Sequence, residues 1–394
     1  MPITNTLSAN IRWLRIFALI FLLPFVLLAT AGEALDYKYL VYVGTYTGKG
    51  SEGIYAYRFD PASGEASPLG LAAATDNPSF LEVDSNGRFL FAVNELDAFH
   101  NEPTGAVSAF AINRESGTLN PLQQVPSLGR SPAHLSLDKS ARYLLVANYN
   151  SGNVAVFPIG NDGRLGAHTA FIQGVGSSVN PVRQTGPHAH SLQVTNDNRF
   201  ALLADLGLDK LLVYRFDATA GTLTPGSPKF VKVDPGSGPR HVALAPSGRF
   251  VYVVNELAST VMVFAYRPGP GMLQRKQTIS TLPKNFAGKN TAAEIAVDAK
   301  GRFLYVSNRG HDSIAVFSID PDNGRLTALE RVASGGRTPR HFAIDPTGTW
   351  LFAANQDSND ITLFRIDPSS GQLKETSRSL KIVSPVCVRI VPVK

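Results

Sequence analysis

Cysteine is almost missing. The chain has one, Cys387, which excludes an internal disulfide framework and any multi-cysteine metal site; a lone thiol of this kind reads as a small buried apolar residue. Charge is scarce as well, at 17% of residues, and the formal net charge of +6 is spread along the chain with no basic run. That leaves no electrostatic footprint for a nucleic-acid partner. Past Leu28 there is no long hydrophobic run. No Gly-rich loop leads into a helical pattern, as a phosphate-binding loop would, and no Ser, His and Asp stand in an order that argues for a nucleophilic triad.

Apolar residues, glycine and proline are abundant. Apolar residues make up 44% of the chain, and the 34 Gly and 26 Pro recur at regular distances rather than in clusters. This is the composition of a globular protein made of many short strands punctuated by turns.

The N-terminus stands apart. Arg12 and Arg15 precede an uncharged apolar run from Ile16 to Leu28, followed by Ala29-Thr30-Ala31 in an A-x-A pattern. Residues 1–31 therefore read as a secretory signal cleaved after Ala31, with an uncleaved anchor as the alternative; a membrane span needs about 20 apolar residues. Either way the body of the protein is expected to be exported, periplasmic or secreted, and free of the membrane once the signal is removed.

One unit recurs through residues 38–394. Its plainest copy runs from Pro339-Arg-His-Phe-Ala-Ile through Asp345-Pro-Thr-Gly348 and Asn355 to Gly371-Gln-Leu373. Other copies begin at Pro78, Pro132, Pro187, Pro239 and near Thr291. Each reads as strand, tight turn, strand, looser loop, strand, and a Gly-x-Leu turn into a last strand. Asp84-Ser-Asn-Gly87 and Asp298-Ala-Lys-Gly301 put Asp first and Gly last, as a type I turn prefers. Four short antiparallel strands in a period of roughly 40–50 residues are the mark of propeller blades. The first unit lacks its first strand, since Lys38–Gly44 aligns with second strands, whereas Pro385–Val391 aligns with first strands. The prediction is an all-β, seven-bladed β-propeller forming a single domain, closed by pairing the two ends of the chain, which leaves no free sheet edge there.

A repeat allows its copies to be compared. At one register of the first strand the chain reads Phe80, His134, Ser191, His241, Glu294, His341 and Cys387; one position earlier it reads Ser79, Ala133, His190, Arg240, Ala293, Arg340 and Val386. The end of the second strand reads Gly44, Asn94, Asn148, Asp205, Asn255, Asn308 and Asn355, and the next position Thr45, Glu95, Tyr149, Leu206, Glu256, Arg309 and Gln356. Antiparallel neighbours bring these rows to the same mouth of the channel. The Asn row reads as structural, because Asn ties turn backbone together, and the repeated His134, His241 and His341 read as slot residues of the repeat. His188, His190, Arg240, Glu256, Glu294, Arg309 and Arg340 are not general to the repeat, and charges gathered in a cleft mark a site.

These residues carry a resemblance. Gly186-Pro-His-Ala-His-Ser191, Asp205-Leu-Gly-Leu-Asp209, Asn255-Glu-Leu257, Ser307-Asn-Arg-Gly-His-Asp312 and Thr338-Pro-Arg340, in this order and spacing, resemble the lactonase family of seven-bladed propellers, which includes propeller-type 6-phosphogluconolactonases and a carboxy-cis,cis-muconate cyclase. The resemblance implies a site of one His, two Arg and one Glu, falling on His188 or His190, Arg240, Arg309 and Glu256. His241, Glu294, Arg340, Asp205 and Gln356 are expected around a bound small molecule. It implies hydrolysis of a sugar lactone, phosphorylated or not. Alternatives are the reverse sense, a lactone-forming cyclase, and a non-catalytic exported propeller that binds a ligand. Neither a cofactor nor a metal is expected: His188 and His190 alternate onto one strand face, but no complete ligand set accompanies them. The base that activates water is left open between Glu256 and the two His, with Arg240 and Arg309 holding anionic groups.

Overall fold

The computed structural model describes residues 38–393; the predicted signal lies outside the described residues. Seven four-stranded antiparallel sheets follow one another along the chain. The six sheets after the first each use their strands in sequence order, and the first is ordered with the C-terminal strand Pro385–Pro392 beside Tyr39–Thr45. That pair registers Tyr39 against Pro392 and Val43 against Val388, so the two ends of the chain close the ring as the repeat predicts. The first strand of each blade touches the first strands of the blades on either side, in an unbroken cycle that forms the wall of a central channel. Among the described residues no helix is long and apolar enough to cross a membrane.

Strand alternation decides where the core sits. Both faces of each inner sheet are buried between neighbouring blades, so the second strands are hydrophobic up to the Asp or Asn that ends them: Phe200–Asp205, Phe250–Asn255 and Trp350–Asn355 are buried at every position. The contacts between blades are aromatic. Phe59 of the first blade packs edge-on against Trp350 and Phe352 of the last, and burial of a side chain of this size stabilises the fold by about 1.5–3 kcal/mol.

Two local devices set the blade spacing. The turn Asp caps the start of the second strand: Asp345 Oδ1 accepts from the backbone N–H groups of Thr349 (2.8 Å) and Trp350 (2.6 Å), and Asp84 and Asp138 do the same in their blades. The glycine of the Gly-x-Leu turn lies under the ring that opens the second strand of the preceding blade. Gly371 meets Phe303, and across the closure Gly64 meets Trp350, both glycines at positive φ. A Cβ there would overlap the ring, which is why the turn carries Gly at the same point around the propeller.

The Asn row staples blades at one rim. Asn148 Nδ2 donates to Ser127 O (2.9 Å) and Asn355 Nδ2 to Ser334 O (3.1 Å), each the loop that leaves the preceding blade. This holds the ends of the second strands level around the mouth where the divergent residues gather.

Candidate active site

Several of the first strands carry a β-bulge at the same register. Pro239 pairs with Asn255 and His241 with Val254, which leaves Arg240 as the extra residue. Pro339 pairs with Asn355 and His341 with Ala354, leaving Arg340, and Ala189 and Ser191 pair around His190. A bulge sets two residues against one and re-aims a side chain. Strict alternation would send Arg240 and His241 to opposite faces, yet Arg240 Nη1 lies 3.3 Å from His241 Nε2.

Two of these residues, His190 and Arg240, converge on Glu256, which directly follows the second strand of the fifth blade and is buried. Its Oε2 is 3.1 Å from Arg240 Nε, 3.1 Å from Arg309 Nη2 and 3.8 Å from His190 Nε2. Its Oε1 accepts from Arg183 Nη2 at 2.7 Å. Arg240 also donates to Ala293 O at 2.7 Å, and Arg309 to Ala292 O at 3.4 Å. Beside this group Tyr46 donates to Glu95 Oε2 (2.8 Å), and Arg340 lies over the Tyr46 ring, 3.7 Å from the same carboxylate. Four guanidinium groups thus face two carboxylates, and an anion is the natural complement.

These contacts decide protonation. Burial alone would raise the Glu256 carboxyl, but the guanidinium groups of Arg309, Arg240 and Arg183 outweigh it and hold it far below the usual carboxylate range. A carboxylate so clamped is a counter-ion that organises its arginines and a poor proton acceptor. Burial, with Arg240 next, keeps His190 well below the ordinary imidazole value, so it is neutral.

His188 is placed differently. Its Nδ1 lies 3.0 Å from the carbonyl of Tyr149. A carbonyl only accepts, so Nδ1 carries the hydrogen and Nε2 is left with its lone pair. The ring is half-buried and stacks on Tyr149 at 4.5 Å between centroids. The expectation that His188 and His190 share a strand face is corrected. The strand starts at Ala189, so His188 lies in the approach to it and His190 is the bulge residue; Tyr149 sits between them, stacked on one and edge-on to the other.

The remaining predicted residues divide. Arg340 belongs to the mouth. His241 and Glu294 lie beneath it in the channel, with His241 Nδ1 3.0 Å from Glu294 Oε2 and His341 Nε2 3.6 Å from the same oxygen. There His241 touches Arg240, and Glu294 holds His241. Below the mouth the rings of Phe80, His134, His241 and His341 close the channel, with Phe80 4.4–5.8 Å from the three imidazoles. Asp205 is removed from the site: it is buried, accepts from the N–H groups of His188 (2.9 Å) and Leu208 (3.0 Å), and burial pushes its carboxyl up to about 6. Through Oδ1 this side chain holds two backbone amides and shapes the loop before His188. Gln356 donates to its neighbour Asp357 at 3.3 Å. Cys387 is buried, its thiol raised to about 11 by burial.

The repeat did not point to Arg183, Tyr149, Tyr46 or Glu95 as site residues. Glu95 and Tyr149 share the register of Glu256 and Arg309, and that register was the available signal. Arg183 lies in residues 174–187, between the last strand of one blade and the first of the next, where no register exists. Among the described residues no group of three or more His, Cys, Asp or Glu has the arrangement of a metal site.

Fold and site together define a propeller with an arginine–carboxylate site at one mouth of its channel. The chain belongs to the family described as "Lactonase, 7-bladed beta-propeller", whose model matches residues 40–390. It is 38% identical over 298 residues to a 6-phosphogluconolactonase of Bacillus subtilis, covering 75% of this chain and 82% of that protein. Among solved structures it resembles the periplasmic gluconolactonase of Pseudomonas aeruginosa (39% identity, TM-score 0.85, 90% of this chain and 99% of the other). It also resembles a putative 6-phosphogluconolactonase of Bacteroides fragilis (37% identity, TM-score 0.84, 90% and 98%).

Proposed function

We propose that the mouth cluster opens the ring of a sugar lactone with water, a 6-phosphogluconolactonase-like hydrolysis, and that the protein does so outside the cytoplasm. The supporting observation is the arrangement at Glu256: one buried carboxylate holds the guanidinium groups of Arg240 and Arg309, and His188 stacks on Tyr149, whose hydroxyl bonds the Arg183 that also holds Glu256. His188 Nε2 takes a proton from water as the water oxygen bonds to the lactone carbonyl carbon. The carbonyl oxygen becomes an oxyanion, which Arg240 and Arg309 stabilise; preorganised donors of this kind are often the largest catalytic contribution. The ring C–O bond then breaks, and the proton on His188 passes to the departing ring oxygen. The sum is lactone plus water giving one hydroxy acid.

The leader read in residues 1–31, together with the name of the Pseudomonas aeruginosa relative, supports action on a sugar lactone met outside the cytoplasm. Acid release from gluconolactone and 6-phosphogluconolactone, followed by pH-stat with wild type and His188→Gln, tests the reading. Turnover by wild type and its loss in the variant, with an unchanged melting curve, is the expected result. Equal turnover in both removes His188 as the base, and no turnover of either lactone by wild type removes the hydrolysis.

A further inference from the structure

Four arginines meet at the mouth, but they are mounted in two ways. Arg240 and Arg309 are strand residues whose guanidinium groups also bond backbone carbonyls. Arg340 is a strand residue held by the Tyr46 ring and Glu95. Arg183 is the exception. Its guanidinium touches two side chains, Glu256 at 2.7 Å and the Tyr149 hydroxyl at 3.1 Å. Its side chain is 39% exposed, against 4% for Arg240 and 13% for Arg309.

The backbone under Arg183 is nevertheless fixed. Asn180 Oδ1 accepts from the N–H groups of Val182 and Arg183, both at 3.0 Å. The buried Gln184 donates to Leu206 O at 2.8 Å and accepts from Asn180 N at 3.0 Å. A pinned backbone thus presents a long side chain with several rotamers at the rim of the site, and its planar fork matches phosphate and carboxylate.

Depth sorts the arginines by role. The lactone carbonyl must reach Arg240 and Arg309, the less exposed pair, so the far end of the sugar lies toward the rim. Arg183 is there, and a doubly bonding anion can replace its single contact with Glu256. Glu256 then keeps Arg240 and Arg309 and is not left unpaired.

Building on the lactonase reading above, we infer that Arg183 is the residue that selects for charge at the end of the sugar remote from the carbonyl, leaving Glu256 to take a phosphate or carboxylate of the substrate. The two sources share one chemistry, and the substrates of the test separate them.

The experiment compares wild type with Arg183→Gln on three lactones that differ at the sixth carbon: 6-phosphogluconolactone, glucarolactone with its carboxylate, and neutral gluconolactone. Arg309→Gln is the comparison variant, and melting curves verify the fold. The expected result is a wild type that favours a charged lactone, with kcat/KM on that lactone falling about tenfold or more in Arg183→Gln, mainly through KM. Gluconolactone loses clearly less than the charged lactone in Arg183→Gln, while Arg309→Gln lowers all three. The charged lactone with the larger loss identifies the anion. Equal losses on charged and neutral lactones would make Arg183 a structural clamp on Glu256 and overturn the inference, as would a wild type that prefers gluconolactone. A wild type that opens none of the three removes the lactonase reading itself, and this inference with it.

Discussion

Arg240 and His241 are sequence neighbours whose side chains meet, with Nη1 and Nε2 3.3 Å apart. A guanidinium only donates, so His241 Nε2 accepts and its Nδ1–H donates to Glu294 at 3.0 Å. A carboxylate below the mouth therefore sets the tautomer of the imidazole that supports Arg240. Glu294→Ala frees that imidazole and loosens the arginine without touching substrate. The expected outcome is a roughly tenfold loss in kcat with KM little changed. Initial-rate kinetics checks the split, and an equal loss in both parameters would contradict the positioning role.

Among the described residues, Glu256 is the sole carboxylate in ion-pair contact with Arg183, Arg240 and Arg309. Removing one partner of a buried ionic cluster costs about 3–5 kcal/mol, because the other charges stay buried and uncompensated. Glu256→Ala is expected to lose stability on that scale as well as activity, measured by urea unfolding. A shift of less than about 1 kcal/mol would show that the arginines find other partners.

The channel imidazoles make stability depend on acidity. Burial lowers His134 and His341 from 6.5 to about 3 and holds His190 and His241 well below 6.5. All four are neutral in the folded protein, while in the unfolded chain they take protons below about pH 6.5. The unfolded state then binds more protons, so stability falls as pH drops from about 6.5 toward 3, by up to about 1.4 kcal/mol per group per pH unit. Glu256, depressed by its arginines, adds a loss in the same direction below its ordinary 4.5. Thermal melts between pH 7 and pH 4 check the slope. His134 has an unpartnered Nδ1 against Phe80, so His134→Phe is expected to flatten the profile while holding or raising stability at pH 7.

The closure predicts a sharp steric effect. Gly64 has φ 74° and lies under Trp350. Gly64→Ala adds left-handed strain and overlap with the indole ring, expected to cost at least about 2 kcal/mol. Gly48 also has positive φ but meets nothing where its Cβ would stand, so Gly48→Ala is expected to cost less. Paired melting curves separate the two.

How much of this was legible follows from what a repeat can and cannot carry. Asp345, Gly371 and Asn355 do the same job in several blades, and recurrence exposes such jobs, so blade count, turns and closure were readable. Arg240, Glu256 and Arg309 were readable for the opposite reason, as departures from a known register. Arg183 was not, because it has no counterpart in another blade. Period-two alternation could not foresee that Arg240 and His241 share a face, since the bulge breaks that period at the site. Asp205 was misread because a departure toward charge looks alike whether the carboxylate meets a ligand or backbone amides.

The most direct test of the account is kcat/KM for wild type and Arg309→Gln on gluconolactone, which carries no remote charge and so isolates the carbonyl end of the site. The account predicts a loss of about 10²–10³, the typical effect of removing one oxyanion donor, in a variant that a cooperative melting transition shows to be still folded at the assay temperature. Wild-type turnover in the variant would contradict it and leave the arginine cluster without a catalytic role.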